Sequence, residues 1–418
     1  MTSKQRMLAV LRGAPVDRIP WAPRLDLWYN ANRLAGTLPD RFRKATLCEI
    51  VEEMGWGYHG VVPAFRDLRS PEDDMHRPLG VYNLGTMPYQ TVFENVGCER
   101  RVEGDRTIVE YDTPKGPLRT VTLYDDTMRK AGVSITHVEE YVFKSPEDYE
   151  PLGWLFENAR VMPQYEGYER FADEVGDLGL AMAFVSLAAS PVHLMQRELM
   201  RLDTFFYEMH DRPDQVAGLS EQIGRYWQQV LDVVVDCPAE VVFVGANYDA
   251  SVQYPPFFEE HIQPWLKRYA DALHARDKFL LTHTDGENTG LLTRYLETGI
   301  DIADSICPAP MTKLGFKEAR DVFGGRITIM GGVPSVALLP SSVPDNQFAP
   351  FLDSFFEEIG RGDHLILGIS DTTPPAASWE RLVEIGRRAE AFGRVPGDQS
   401  RLPPFGNAQC LRLRRGCP

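Results

Sequence analysis

The chain has six cysteines, Cys48, Cys98, Cys237, Cys307, Cys410 and Cys417, and none stands in a CxxC pair or at disulfide-framework spacing. That excludes a cysteine-stapled secreted scaffold and fits a reducing cytoplasm, the location expected here. No stretch approaches the roughly 18 uninterrupted apolar residues of a membrane span. The apolar part of the opening MTSKQRMLAVLRG is too short and too interrupted for a signal peptide, and reads as an amphipathic helix. Positive charge is scarce: 44 Lys and Arg against 60 Asp and Glu leave a formal charge of −16, with no basic run longer than the cluster Arg412, Arg414, Arg415. Nucleic acid and anionic membrane are therefore poor partners, small molecules or another protein better ones, and a homodimer is allowed. Gly-rich phosphate loops, dinucleotide fingerprints and Ser nucleophile elbows are all missing.

What is present, from about residue 178 onward, is an alternation of short apolar runs with amphipathic stretches. Strands are expected at 179–185, 240–245, 279–282, 302–306, 327–330 and 365–368, and helices at 213–235, 256–275 and 379–392. Six β-then-α units require a parallel sheet with helices outside. Earlier runs at 19–23 and 59–63 raise the count to eight, which closes a (β/α)8 barrel of the α/β class. Residues 80–145 break this rhythm. The stretch 106–124 alternates β-branched and polar residues around Pro114-Lys115-Gly116, a hairpin pattern expected to form an antiparallel β insertion over the barrel mouth. One barrel domain over 1–395, including that insertion, and a disordered tail over 396–418 complete the expected organisation.

Residues just past the carboxyl ends of barrel strands face a common space, and chemistry-bearing side chains gather there. The run 279–282 enters His283-Thr-Asp-Gly-Glu-Asn, and the next run delivers Cys307 before Pro308. Imidazole, carboxylate and thiolate together suit Zn²⁺, so His283, Asp285 and Cys307 are candidate metal ligands. An H-x-D pair alone is as consistent with an ordinary surface loop, and a lone buried Cys is usually a small hydrophobe. Glu287 either ligates or caps the following helix, capping ranking ahead. Asp371, after the last strand, is a fourth ligand, a general acid or a turn residue before Pro374-Pro375. Asn247, Tyr248 and Asp249 follow another strand. Asn247 and Tyr248 are candidate substrate contacts, and Asp249, Glu287 and Asp371 candidate catalytic acids or bases. Arg24 and Asp26 past the first strand could clamp a substrate carboxylate or pair with each other. Gly331-Gly332 would admit a ligand close to the backbone.

Four segments carry a resemblance to the uroporphyrinogen decarboxylase superfamily over residues 1–392: Arg18-Ile-Pro-Trp, Tyr254-Pro-Pro-Phe-Phe-Glu-Glu-His-Ile-Gln-Pro-Trp, His283-Thr-Asp-Gly-Glu-Asn and Leu367-Gly-Ile-Ser-Asp-Thr-Thr-Pro-Pro. The resemblance implies a (β/α)8 barrel. The superfamily's decarboxylases carry Arg-Gln-Ala-Gly-Arg near the N-terminus, where this chain has Arg24-Leu-Asp-Leu-Trp-Tyr, and a His in the last-strand loop, where it has Ile369. Both departures count against uroporphyrinogen as substrate. The chain is more similar to the corrinoid-dependent methyltransferases, whose coenzyme M branch binds zinc through His-x-Cys and a distal Cys. His283 matches that His, Asp285 replaces the adjacent Cys, and Asp371 lies near the distal position. The O-demethylase type is the branch this implies: an oxygen-rich zinc is a harder Lewis acid, suited to an ether oxygen. The implied methyl acceptor is a corrinoid (cobalamin) carried by a separate protein.

Two other readings stay open. A metal-independent carboxy-lyase would hold a carboxylated small molecule through Arg24 and Asp26 while Asp249 or Asp371 managed protons. A binding or scaffold protein on a retired barrel would show ligand affinity indifferent to His283.

Overall fold

The computed structural model describes residues 1–60, 75–133 and 135–397. Its strands are β1 (Tyr58–Gly60), β2 (Tyr89–Phe93), β3 (Gly97–Glu103), β4 (Arg106–Thr113), β5 (Gly116–Leu123), β6 (His137–Glu140), β7 (Ala159–Pro163), β8 (Gly179–Ala181), β9 (Ala183–Ser186), β10 (Val241–Ala246), β11 (Phe279–His283), β12 (Ile302–Asp304), β13 (Thr328–Val333) and β14 (Leu365–Ile369). The last six form one parallel sheet in the order β14-β13-β12-β11-β10-β9. Every residue of β10, β13 and β14 is buried. Burial on both faces is what makes these strands read as unbroken Val, Ile and Leu runs, and each such side chain taken fully from water contributes about 1.5–3 kcal/mol.

All six parallel runs expected after residue 178 are present, the first split at Met182 into β8 and β9. The two earlier runs attach differently. β1 pairs in parallel with β8; the rest of that expected strand, 61–63, lies outside the described residues. At 19–23 the expected strand reduces to a single bridge between Trp21 and Leu367. Pro20 and Pro23 have no N–H to give, so the ladder cannot lengthen there. Ala22 N donates to Leu367 O at 2.8 Å on one side, and Gly57 N to Trp21 O at 2.7 Å on the other. The continuous ladder therefore has six strands, and no single closed eight-stranded sheet is formed.

Helices cover the sheet where the spacing of apolar residues expects them. Ser3–Leu11 starts at a capping box of Thr2 and Gln5 and touches both β8 and β14. Pro213–Val234 buries Val216, Leu219, Ile223, Trp227, Val230 and Val234 along one face. The expected helix over 256–275 is broken: Pro255–Phe257 passes through a π turn, Phe258–Ile262, before Gln263–His274. The helix expected after Glu287 is short, Leu292–Tyr295. Trp379–Ala391 is stitched to the N-terminal segment by aromatic packing, with Trp28 stacked on Trp379 at 5.1 Å and Trp56 at 5.2 Å from it.

The hairpin expected at 106–124 is β4 and β5, central in an antiparallel sheet β3-β4-β5-β6. Its turn is tied by Thr113 Oγ1, which donates to Gly116 O at 2.7 Å. Antiparallel structure also runs past the expected limit at 145, because β7 returns to pair with β2. The expected tail lies outside the described residues apart from 396–397. Among the described residues no helix is long and apolar enough to cross a membrane.

Candidate metal centre

In-register parallel strands put paired side chains on the same face, and the ends of β11 and β12 use this. His283 pairs with Asp304 in the ladder, and its Nδ1 lies 2.5 Å from Asp304 Oδ2. The other carboxylate oxygen, Oδ1, is 3.1 Å from His59 Nε2, delivered by β1. All three groups are buried. With Nδ1 committed, His283 turns Nε2 toward Asp371 Oδ1 at 3.5 Å. Arg24 Nη1 reaches the same oxygen at 3.2 Å, and Arg24 Nε reaches Asp26 Oδ1 at 3.4 Å.

Asp285 completes the group. Ligand atoms of His283, Asp285 and Asp371 all lie within 4.8 Å of one another. Asp285 Oδ2 accepts from Asn247 Nδ2 at 3.1 Å, and Oδ1 accepts from the Cys307 thiol at 2.9 Å. Cys307 is outside the three-residue group, whose ligand atoms are those that lie close enough together to share one ion. Burial, and then the Asp285 carboxylate, push its thiol well above the usual range, and without a metal it donates to Asp285 at 2.9 Å.

The loops are held by unusual backbone. Asn247, Ser305 and Asp371 each follow a strand with positive φ, 58°, 63° and 61°. Asn and Asp accept the left-handed region more readily than Ser. Ser305 is secured because its Oγ accepts from Asp371 N at 2.9 Å, tying the β12 loop to the β14 loop. Left-handed non-glycine residues that the surroundings hold in place cluster at functional sites.

Charge is balanced around His283. Burial alone would lower its pKa, but the carboxylates of Asp304 and Asp371 more than reverse that and raise it to about 9. Asp304 moves the other way: despite burial, His59 and His283 hold its carboxyl well below the usual range. Asp371 is likewise lowered, burial being outweighed by the His283 hydrogen bond and by Arg24. Asp285, Asp304 and Asp371 thus face Arg24 and His283, an arrangement with room for added positive charge.

Other candidate residues serve different ends. Glu287 ties down its own loop: its Oε1 accepts from Thr289 N at 3.0 Å and its Oε2 from Lys313 N at 2.8 Å. Asp249 does the same for its loop, accepting from Ser251 N at 2.8 Å and Glu287 N at 3.2 Å. Tyr248 is corrected from substrate contact to core. It is 0% exposed and spends its hydroxyl on Thr282 Oγ1 at 2.7 Å, with its ring against Phe258 and Tyr295. At Gly332 the space expected for a ligand is filled by the Phe316 ring, 2.5 Å from where a Cβ would stand. Asp304 and His59 were not singled out from the sequence, although an acid inside the apolar run 302–306 is itself a signal of a buried pair.

Residues 128–380 match the family model of uroporphyrinogen decarboxylase (URO-D). The chain belongs to this family. The matched span holds His283, Asp285, Asp304 and Asp371, while Arg24, Asp26 and His59 precede it. Two curated uroporphyrinogen decarboxylases are similar: that of Paraburkholderia xenovorans is 24% identical over 188 residues, and that of Paraburkholderia phytofirmans 25% identical over 189. Each alignment covers 44% of this chain and 50% of the relative, so the chain spans about half the length of the curated relatives it matches. Among solved structures, a methyltransferase from Methanosarcina mazei superposes with a TM-score of 0.49 at 15% identity, covering 94% of this chain and 99% of that one.

Proposed function

We propose that this chain is a zinc-dependent methyltransferase that moves a methyl group between a small methoxylated substrate and a protein-bound corrinoid. One observation carries the reading: Asp304 occupies His283 Nδ1 and leaves Nε2 to converge with Asp285 and Asp371. A carboxylate that fixes the far nitrogen of an imidazole is the usual support of a metal-ligating His, and one nitrogen with two carboxylate donors fits Zn²⁺ as a hard Lewis acid. The departures from the decarboxylase motifs at Arg24 and Ile369 agree with it.

Bound zinc would supply polarisation of the methoxyl oxygen, and a corrinoid on a partner protein would supply the methyl acceptor. This chain's residues do the holding. His283, Asp285 and Asp371 are the ligands, and Arg24 sits behind Asp371 and offsets its charge. Asn247 and Cys307 steer the two oxygens of Asp285. Asp249 and Glu287 keep the two loops in register.

The test is the zinc content of anaerobically purified protein beside His283→Ala. Near one zinc per chain, lost in the variant, supports the reading and justifies assaying demethylation with a reduced corrinoid protein. A folded wild type that takes up no zinc sinks it. The metal-independent carboxy-lyase would then lead, since His283 raised to about 9 between two carboxylates is already a charged acid without any metal.

A further inference from the structure

A cavity of about 180 Å³ lies between the helix Trp379–Ala391 and the segments around Trp21 and Trp56, with Ile19, Pro20, Val383 and Gly386 in its wall. Trp21 precedes Arg24 and Trp56 precedes β1, so the cavity sits at the amino ends of the strands, whereas the metal centre occupies the carboxyl ends. An apolar cavity of about 150 Å³ takes a benzene ring, and this one has room for a ring with a small substituent.

The wall carries an unpaired donor. Trp21 is 5% exposed, and its Nε1 is buried with no hydrogen-bond partner among the described residues. A buried indole N–H ordinarily finds an acceptor, and one left without costs about 1–3 kcal/mol. Packing alone would be served by Phe, which brings no donor. Trp56 delivers a second indole N–H to the same place: Trp21 Nε1 and Trp56 Nε1 stand 3.1 and 2.8 Å from the point where a Cβ on residue 386 would be, and Gly386 keeps that place clear. Each guanidinium at the rim already holds a carboxylate, Arg6 that of Asp17, Arg18 that of Glu390 and Arg387 that of Glu384. The cavity therefore offers an anion no free cation, and the acceptor it suits is uncharged.

We propose that this cavity is a second binding site, for a small uncharged molecule that carries a carbonyl oxygen on an apolar body about the size of a benzene ring. A carbonyl oxygen has two lone pairs and brings no donor of its own, so it accepts from Trp21 Nε1 with Trp56 Nε1 in reach of the same atom. Ile19, Pro20 and Val383 cover the apolar body. None of the lining residues is a candidate metal ligand, so the site stands apart from the methyltransferase reading.

The experiment follows the indole N–H signals of the seven tryptophans in the isotope-labelled full chain by NMR while one of three probes is added. They are acetophenone, benzoate and α-methylstyrene, the last an isostere of acetophenone with a methylene group in place of the carbonyl oxygen. Acetophenone should bind and move the signal that Trp21→Phe removes. The isostere should bind about 10-fold more weakly, because it leaves the indole N–H unpaired. Trp21→Phe should lower acetophenone affinity by about the same factor and leave the isostere unchanged, so that the two probes bind the variant alike. Trp56→Phe should also weaken acetophenone and serves if Trp21→Phe does not fold, while the comparison of probes on the wild type needs no variant. His283→Ala should bind acetophenone as the wild type does, with or without zinc, which separates this cavity from the metal centre. No binding of acetophenone, equal wild-type affinity for it and its isostere, tighter binding of benzoate, or loss of binding in folded His283→Ala overturns the proposal.

Discussion

His283 and Asp304 stand at paired positions of adjacent parallel strands, 2.5 Å apart, with the imidazole donating to a fully buried carboxylate. The pair fixes which nitrogen of His283 faces the strand-end space, and it does so from backbone register rather than from a loop. Asp304 is held in turn by His59, so three strands contribute to the orientation of one ring.

Asp304→Asn should therefore damage the metal site without touching a ligand. An amide can donate to the imidazole and favour the wrong tautomer, so metal affinity is expected to fall about 10- to 100-fold. Removing the charge that pairs with two buried imidazoles should also destabilise the fold by about 3 kcal/mol. Competition with a chromogenic zinc chelator, alongside urea unfolding of metal-free protein, reads both effects. An unchanged zinc affinity would show that His283 needs no such support.

Asp371→Asn should separate binding from stability. The side chain is 39% exposed and its ion pair with Arg24 leaves Arg24 still joined to Asp26. A partly exposed pair contributes at most about 1 kcal/mol, so the unfolding midpoint should hardly move while stoichiometric zinc binding is lost. Retention of zinc at wild-type affinity would remove Asp371 from the ligand set.

Much of this site was legible because each strand announces its end. His283, Asp285, Asp371 and Arg24 all follow an apolar run directly, and the structure gathers them. Asp304 was hidden inside a run, and His59 could be joined to it only by knowing that β1 comes round to face β12. The ladder fell short of eight strands where Pro20 and Pro23 withhold their N–H groups, an effect visible in the sequence but outweighed by counting units. Tyr248 was misplaced for a local reason: Asn247 adopts a left-handed conformation, which breaks the alternation that would have pointed the next side chain outward.

Tyr248→Phe follows from that placement. Losing the hydroxyl leaves Thr282 Oγ1 still able to donate to Gly245 O, so the cost should be about 1 kcal/mol of stability, a typical single hydrogen bond. Zinc content and affinity for a methoxylated substrate should match the wild type. A selective loss of ligand affinity in a fully folded variant would return Tyr248 to the substrate site.

His193 sets part of the acid limit of stability. It is fully buried, and Ala189 N donates to its Nδ1 at 3.1 Å, so the ring is held neutral. Burial, aided by the nearby charge of Arg197, lowers its pKa from 6.5 to about 3. The unfolded chain binds this proton below about pH 6.5 and the folded chain does not until near pH 3. Stability from the neutral ring is therefore complete above pH 6.5 and drains away as pH falls through that window, by up to about 1.4 kcal/mol per pH unit for one proton. His193→Asn, whose amide oxygen can accept from Ala189 N but does not titrate, should be less stable at pH 7 yet lose less between pH 6.5 and 5. Urea midpoints of both proteins across that interval measure the difference, and parallel pH dependences would mean that His193 is protonated in the folded state.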